Sequence, residues 1–377
     1  MWAAENLSIS SKPKFSIGQA FARWFPTPQL LAPRSAGIDI SDSSIKWIVI
    51  VPHKDSRRVL AWGSRPLPPG IVVEGAIQDE AALSEALSQV KSELGSVSHA
   101  HVALPEEMAF IFSMHVPGKS EREQVLRMIE FELQGRVPIS PAEAVYDFNI
   151  IEEDSESGME IGVMVFPRDL AESYARVFNN VGIEVLSLEV EVCSIARAIS
   201  SDGADEPITL SVDFGLGRTG FAILKRGIPI FTSTVPIGGS SISKPLMEKL
   251  SISEEKSEVL NNEEGLLPKD GKKSEITEII TKAVSTLAGE VVKHYHYWDT
   301  RRNERGDRVT PVGRVLLVGG SANVKGLDDY ISERVQAPTS RPNVWQNVFS
   351  FEEYIPPIER KTSLQFVTAI GLALRGM

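Results

Sequence analysis

The chain has 377 residues and carries 39 Lys and Arg against 50 Asp and Glu, which gives a net charge of −11 at pH 7. This acidic balance argues against general nucleic-acid binding, because phosphate neutralisation needs a basic surface. With 42% hydrophobic and 24% charged residues, the composition excludes disordered and collagen-like chains and suits two moderate domains, or one larger fold built from several subdomains.

The cysteine content and the distribution of apolar residues bear on the cellular compartment. The single cysteine, Cys193, excludes an internal disulfide and favours a reducing environment. No apolar run approaches the roughly 18 residues that a membrane-spanning helix needs, and the N-terminus lacks the pattern of a secretory signal. We therefore expect a cytoplasmic protein.

Residues 1–34 differ in composition from the rest of the chain. They are rich in Ser, Pro and aromatic residues, and their basic residues outnumber the acidic Glu5. Ile17, Phe21, Trp24 and Phe25 fall at the spacing of one helix face. We predict an N-terminal arm that docks on an anionic membrane surface, in a partner's groove, or on its own domain.

From residue 35 onward, strand and helix patterns alternate. Two β-rich runs at 37–40 and 45–52 flank a polar turn and predict a hairpin. The spacing of apolar residues then predicts helices at 80–94, 121–134 and 170–181 and strands at 101–104 and 161–167.

The second half of the chain repeats the opening pattern. A buried strand at 208–214 reaches an Asp-Gly turn, and a meander with strands at 219–224 and 228–235 follows. A polar region at 251–273 precedes the further predicted elements: a long helix at 275–298, a strand at 315–318, and helices at 324–335 and 364–374. The fold class is mixed α/β.

Two acidic hairpins carry the chemistry that stands out. In the segments 39–46 and 213–219, an Asp at a strand end precedes a turn of small residues. Such turns let backbone N–H groups approach phosphate oxygens, while the Asp can hold magnesium through water. An isolated hairpin of this kind is also a common structural corner.

A third element is the Gly319-Gly320 turn between a strand and a helix. Bare backbone at this junction lets a base and ribose lie close to the chain. The segment matches neither the Rossmann fingerprint nor the Walker loop, which disfavours those nucleotide folds.

In their order along the chain, these elements resemble those of the actin-like ATPase superfamily. The hairpins, the Gly319-Gly320 turn and the closing helix at 368–373 correspond to its phosphate-1, phosphate-2, adenosine and second connecting elements. The segments 37–46, 187–192, 211–215, 236–239 and 318–320 more narrowly resemble the PilM family of type IV pilus assembly proteins, relatives of the cell-division protein FtsA. The resemblance runs from about residue 36 to the end.

This resemblance implies an actin-like ATPase fold with two halves around a nucleotide cleft and an inserted FtsA-type subdomain. The implied division is an N-terminal arm at 1–34, a first actin-like subdomain at 35–74 and 167–205, an inserted partner-binding subdomain at 75–166, a second actin-like subdomain at 206–250 and 306–377, and a small helical subdomain at 251–305.

The resemblance also implies ATP and Mg²⁺ in the cleft. The nucleotide-binding residues would be Asp39, Ser43, Ser44, Lys46, Asp213, Gly215, Thr219, Gly319 and Gly320. Ser43, Ser44 and Lys46 would contact the phosphates. Asp39 and Asp213 would lie near magnesium through water, and Gly319 and Gly320 by the adenosine.

The first hairpin departs from the family pattern. Where the family commonly has Asp-Ile-Gly-Ser, this chain has Ser41 and Asp42 after Asp39-Ile40, which places an extra negative charge where phosphates approach. We expect ATP binding, with hydrolysis weak or absent. No catalytic base is identified; Glu189 and Glu191 lie in the connecting region and are also explained as structural residues.

The implied function is that of a cytoplasmic scaffold, peripheral at the inner membrane, within the pilus assembly complex. It would bind the cytoplasmic N-terminal tail of a PilN-type membrane protein in a groove lined by 121–134. One alternative is an actin-fold small-molecule kinase, although no carboxylate base stands out. Another is a relative of the type II secretion cytoplasmic domain, which is normally tethered by its own transmembrane helix.

Two further features favour structural roles. His99 and His101 share a strand face without an evident third ligand, so we predict no metal site there. Cys193 lacks an activating neighbour and is expected to be a buried, inert thiol.

Overall fold

The computed structural model describes residues 33–53, 56–154, 158–201, 205–267, 274–302, 308–375 and 377. The predicted arm, with its helix at 17–25, therefore lies outside the described residues except for its last two positions. In the described part of the chain, no helix is long and apolar enough to cross a membrane.

The chain folds into alternating strands and helices. The strands are β1 (Ser35–Ile40), β2 (Ser44–His53), β3 (Ser56–Pro66), β4 (Val72–Val73), β5 (Ala76–Ile77), β6 (His99–Leu104), β7 (Phe110–Val116), β8 (Ala144–Asp154), β9 (Gly158–Pro167), β10 (Glu184–Val190), β11 (Thr209–Phe214), β12 (Thr219–Lys225), β13 (Ile228–Val235), β14 (Arg314–Val318) and β15 (Thr339–Ser340). The helices are α1 (Glu80–Leu94), α2 (Arg122–Arg136), α3 (Arg168–Asn180), α4 (Glu191–Ile199), α5 (Ser240–Leu250), α6 (Glu254–Glu263), α7 (Glu275–Thr300), α8 (Leu327–Val335), α9 (Arg360–Ser363) and α10 (Val367–Ala373).

Two five-stranded sheets share one topology. The first has the order β10-β6-β1-β2-β3 and the second the order β13-β12-β11-β14-β15. In each, an antiparallel meander (β1-β2-β3 or β11-β12-β13) joins a strand parallel to its first member, β6 or β14. The repeated pattern predicted from the sequence is thus a repeated half-molecule, and the predicted 37–52 hairpin is confirmed by the β1–β2 pairing.

A third sheet forms the inserted subdomain. β7, β9 and β8 pair in that order, and α2 buries Val125, Ile129 and Leu133 against them. This unit has a hydrophobic core of its own, separate from the cores of the two halves. Ion pairs from Lys225 to Glu160 (2.5 Å) and from Arg226 to Glu152 (3.0 Å) tie it to the β12–β13 turn of the second half.

The structure places two boundaries differently from the sequence. The insertion expected at 75–166 begins after Leu104, because β6 pairs with β1 and β10 while α1 packs into the core of the first half. Likewise α7, expected in a separate helical subdomain at 251–305, buries Ile280 and Val284 in the core of the second sheet. In both cases burial of an apolar face decides which unit the helix belongs to.

The two halves are joined where α4 and α10 cross. Gly371 of α10 lies so close to α4 that a Cβ there would stand 1.8 Å from the carbonyl oxygen of Ser194. Gly37 of β1 lies equally close to α10, since a Cβ at this position would stand 2.1 Å from the carbonyl oxygen of Ala369. Glycine is required at both positions because backbone lies where a side chain would start.

We expect Gly371→Ala to lower the free energy of unfolding by about 1–3 kcal/mol or more, the usual cost of overpacking a rigid core. The matched control is Gly289→Ala in the middle of α7. Among the described residues outside the local helix backbone, no atom lies within 4 Å of a Cβ added to the exposed Gly289. That change should be neutral or stabilising by up to about 1 kcal/mol. Chemical denaturation of both variants measures the difference, and equal stabilities would contradict the close contact.

Candidate functional site

The two acidic hairpins predicted from the sequence face one another across a cleft. Asp39 pairs in register with Lys46 across β1–β2, and their side chains lie 4.0 Å apart. Asp213 occupies the equivalent place at the end of β11. Burial raises the pKa of Asp39, opposed by Lys46 and Arg218. Burial and the neighbouring Asp39 raise the pKa of Asp213 to about 6, so the two carboxylates share one buried environment.

The second hairpin is held by the glycine-rich segments singled out in the sequence. The carbonyl of Gly215 accepts hydrogen bonds from Gly239 N–H (2.9 Å) and the Ser321 hydroxyl (3.1 Å). Gly319 has φ +88°, and a Cβ there would meet Asp213 Oδ1 at 2.4 Å. Gly320, by contrast, has only Gln365 within 4 Å of its Cβ position. Gly215, Gly319 and Gly320 therefore come together with Asp213.

Thr219 stabilises this hairpin from its buried side. Its side chain is fully buried, and its hydroxyl donates to the carbonyl oxygen of Ile237 at 2.6 Å. In this arrangement Thr219 fixes the path of the loop that follows β13, with its hydroxyl directed at protein backbone.

The first hairpin arranges its small polar residues around Lys46. The Lys46 ammonium donates to Ser44 Oγ at 3.0 Å, and the Ser41 hydroxyl donates to the Ser44 carbonyl at 3.2 Å. Ser43 is half-buried, and its carbonyl accepts from Leu67 N–H at 2.8 Å. The predicted phosphate-contacting residues of this hairpin thus lie at one end of the first sheet.

Asp42, the departure from the family pattern, has a local structural role. Its carboxylate accepts the N–H groups of Glu74 and Gly75 at 3.0 and 3.1 Å, in the turn between β4 and β5. A carboxylate bound to two backbone donors is partly compensated. The side chain is therefore directed at the neighbouring turn, which lessens the repulsion expected from the sequence.

Arg218 and two glutamates complete the cleft, and the sequence interpretation did not include them as site residues. Arg218 lies 2.8 Å from Glu107 and 3.5 Å from Glu191, and 3.4 Å from Asp42. Burial raises the pKa of Glu107, and raises that of Glu191 well above its ordinary value, against the effect of Arg218 in both cases. Glu107 follows β6, and the carboxyl ends of parallel strands meet at one sheet edge. The position of Glu107 just after a predicted strand was therefore the sequence signal that could have identified it as a site residue.

Glu106 is the most isolated carboxyl group of the cleft. It is buried, its Oε1 has no hydrogen-bond partner within the described residues, and both its carboxyl oxygens lie 3.3 Å from the Cβ position of Gly220. Burial, followed by the nearby Asp213, raises its pKa well above the ordinary value. A raised pKa means that the ionised form destabilises the fold above the unfolded-state pKa.

We expect Glu106→Gln to raise the free energy of unfolding at neutral pH by about 1–3 kcal/mol, because folding must bury this carboxylate or bind a proton to it and the neutral amide requires neither. The isosteric amide keeps the shape and removes the charge. Glu85→Gln, the same change at an exposed position of α1, should stay within about 0.5 kcal/mol of the parent. Thermal unfolding without ligands measures both, and a destabilised Glu106→Gln variant would contradict the buried-charge account.

The donor set fits a divalent cation held largely through water. Asp39 Oδ1 is buried without a hydrogen-bond partner in the described part of the chain, beside the partly buried Asp213. A cation there would offset the cost of burying both carboxylates. Among the described residues, no group of three or more His, Cys, Asp or Glu side chains is arranged to hold a metal ion directly, so waters would supply the remaining ligands.

Two cavities lie beside the inserted subdomain. One cavity of about 390 Å³ is bordered by the first turn of α2 and by β8, and includes Arg122, Val125 and Phe148. A second, of about 380 Å³, lies between β8, α4 and the β12–β13 turn. Asn149 and Ile150 border both cavities, so the two cavities adjoin along β8, and together they are called the groove. Of the predicted segment 121–134, only its beginning lines it.

The remaining candidates have structural partners. Glu189 forms ion pairs with Arg197 (2.5 Å) and Arg375, which ties β10 to α4 and to the chain end. His101 shares a 2.7 Å hydrogen bond with Ser187, and His99 lies 3.3 Å from Glu184. Burial raises the pKa of the Cys193 thiol to about 12, so this cysteine is inert at neutral pH.

Comparisons with known proteins agree on the architecture. The family model described as type IV pilus assembly protein PilM matches residues 37–377. The cell division protein FtsA of Streptococcus pneumoniae serotype 2 (strain D39 / NCTC 7466) is 22% identical over 334 residues, which cover 79% of this chain and 72% of FtsA.

Solved structures show the same fold. A PilM-PilN type IV pilus biogenesis complex matches with a TM-score of 0.73 at 19% identity, over 91% of this chain and 98% of that chain. EutJ from Carboxydothermus hydrogenoformans gives 0.52 at 18% identity, over 91% and 90%. MreB5 of Spiroplasma citri bound to ADP gives 0.51 at 14% identity, over 89% and 94%. The predicted actin-like fold is confirmed.

Proposed function

The chain belongs to the family of the type IV pilus assembly protein PilM, and from this membership we propose that it is a nucleotide-binding scaffold that docks the cytoplasmic N-terminal tail of a PilN-type membrane protein. The observation that carries the proposal is the groove of two adjoining cavities beside the inserted subdomain. A similar solved structure is that of a PilM-PilN complex. Membership of this family favours pilus assembly over the small-molecule kinase and type II secretion alternatives.

The groove suits an extended peptide. β8 is an edge strand of the three-stranded sheet, so its outer side lacks a partner strand in that sheet. Ile150 on this strand is 48% exposed and borders both cavities. The half-buried Ile228 adds apolar surface on one side, and the half-buried Phe148 adds it on the other. An exposed strand edge with neighbouring apolar pockets is a recurring way to bind a peptide tail.

The cleft supports the second part of the proposal, binding of ATP with Mg²⁺. Ser43, Ser44 and Lys46 would face the phosphates from the first half, while Gly319 and Gly320 would lie by the adenosine. Gly215 would lie beside the phosphates on the side of the second half, and Thr219 would hold the loop that follows β13. Bound magnesium would neutralise charge shared by the phosphates and the nearby Asp39 and Asp213.

Binding without efficient hydrolysis fits the surroundings of Glu191. Its carboxylate lies 3.5 Å from Arg218 and its pKa is raised by burial. A group already paired with a guanidinium is poorly placed to orient or activate water. We propose that the bound nucleotide controls the conformation of the chain. The tail of the partner would hold the chain at the cytoplasmic face of the inner membrane.

Site-specific photo-crosslinking tests the docking site. A photoreactive amino acid at position 150 should crosslink to the tail of the PilN-type protein in assembled inner-membrane complexes. The same amino acid at position 131 is the matched control, because Phe131 is 81% exposed on α2 of the same subdomain and borders neither cavity. Crosslinks at 131 and none at 150 would place the partner elsewhere and overturn the assignment.

A further inference from the structure

Arg218 is the side chain that links the two halves across the cleft. It belongs to the second half, at the end of the β11–β12 turn, yet its ion-pair partners lie outside that half. Asp42 and Glu191 belong to the first half, and Glu107 follows β6 of the first half. The shortest contact, 2.8 Å, is made with Glu107. The side chain is 22% exposed, so part of it is accessible to solvent.

The position of Glu107 connects this contact to the inserted subdomain. Glu107 lies in the connector (residues 105–109), which runs from the end of β6 into β7 of the inserted subdomain. The connector therefore leads directly from the cleft to the subdomain that borders the groove. The ion pair with Arg218 fixes the start of this connector against the second half.

Carboxylates outnumber cations around Arg218. Besides its three ion-pair partners, the partly buried Asp213 acts on it electrostatically, and Asp213 also acts on Glu106. Each acidic group competes for one guanidinium. A phosphate is a stronger match for a guanidinium than a single carboxylate oxygen, because it accepts two parallel hydrogen bonds and carries more charge.

We propose that Arg218 is a phosphate-binding residue that exchanges Glu107 for the nucleotide phosphates, and thereby releases the connector of the inserted subdomain. The proposal rests on the proposed nucleotide binding and adds the residue that transmits it. Asp42 keeps its backbone donors at Glu74 and Gly75 when Nη1 of Arg218 turns to the phosphates, while Nη2 stays beside Glu191. Glu107 loses its 2.8 Å partner, so the change is concentrated on the connector.

A double-mutant cycle with the full chain tests the exchange. The affinity for a fluorescent ATP analogue in Mg²⁺ is measured for the parent, Arg218→Gln, Glu107→Gln and the double variant. We expect Arg218→Gln to weaken binding by about tenfold or more, as for loss of a charge-assisted hydrogen bond. Glu107→Gln should tighten binding by about threefold or more, since it frees Arg218. In the Arg218→Gln background this gain should vanish.

The opposite signs separate the exchange from damage to the fold, because a misfolded variant cannot bind more tightly. An equal gain from Glu107→Gln in both backgrounds would show simple charge removal and overturn the proposal. The control is Arg226→Gln, which breaks the ion pair to Glu152 outside the cleft and should leave ATP affinity unchanged.

Hydrogen exchange provides the second measurement. Adding ATP and Mg²⁺ to the parent should speed amide exchange at 105–109, and this response should be lost in Arg218→Gln. Nucleotide binding by the parent with no response at 105–109 would overturn the release of the connector while leaving the proposed function intact. Failure of the parent to bind the analogue would overturn the nucleotide part of the proposed function itself, together with this inference.

Discussion

Asp213→Asn should lower the affinity for ATP in Mg²⁺ by about 10- to 100-fold, the range for groups that hold a metal ion through its outer ligands. Asp213 is partly buried near the end of β11 beside Asp39, and its pKa is raised to about 6 by burial and by that neighbour. Asparagine keeps the shape of the side chain and removes the charge. The variant should therefore fold at least as well as the parent, so lost affinity reports on binding.

Removal of the metal ion tests whether the contribution of Asp213 to ATP affinity depends on the cation. Calorimetry in EDTA should show weak ATP binding for the parent and little further loss for Asp213→Asn, because the contribution of the carboxylate depends on the cation. Asp329→Asn, the same change on the first turn of α8 and outside the cleft, should leave affinity unchanged in both buffers. Equal losses with and without Mg²⁺ would contradict a role of Asp213 in holding the ion.

Ile150→Asp should weaken binding of a PilN-type tail peptide by about 30-fold or more, the effect of losing an interface residue worth about 2 kcal/mol. Ile150 borders both cavities of the groove and is half exposed on an edge strand. A carboxylate at this place would have to be desolvated against the apolar part of the peptide. Because the side chain is already partly in water, the fold should tolerate the change.

Phe131→Asp is the matched control for this variant. It introduces the same charge in the same subdomain at a side chain that is 81% exposed and outside the groove. Anisotropy titration of a labelled tail peptide should give the parent affinity for Phe131→Asp, and neither variant should change ATP affinity without peptide. Equal weakening by both substitutions would mean that the peptide responds to overall charge rather than to the groove.

The spacing of apolar residues along the chain predicted much of the fold, because this spacing shows which side chains are buried. The apolar spacing at 80–94 predicted helix α1 at its observed bounds, and the two Asp hairpins stand where their strand patterns placed them. β3 and β8 were missed because they are edge strands, whose exposed positions carry polar and charged residues that weaken the strand pattern. Residues 1–32, with the predicted arm helix, lie outside the described residues.

The candidate site was predictable only where it depends on short segments. Asp39, Lys46 and Asp213 follow from strand ends and turns. The contacts of Arg218 with Glu107 and Glu191 join segments far apart in the chain, so they depend on how closely the two halves approach. The direction of the Asp42 side chain could not be predicted from the sequence either, because its hydrogen-bond donors come from the β4–β5 turn.

Isothermal titration calorimetry of the full chain with a PilN-type tail peptide, with and without ATP and Mg²⁺, tests the central claim most directly. We expect saturable one-to-one peptide binding that Ile150→Asp removes and Phe131→Asp keeps. We also expect ATP binding that Asp213→Asn weakens, with peptide binding retained in that variant. No peptide binding at high micromolar concentration in either buffer would contradict the account of this chain as a docking scaffold.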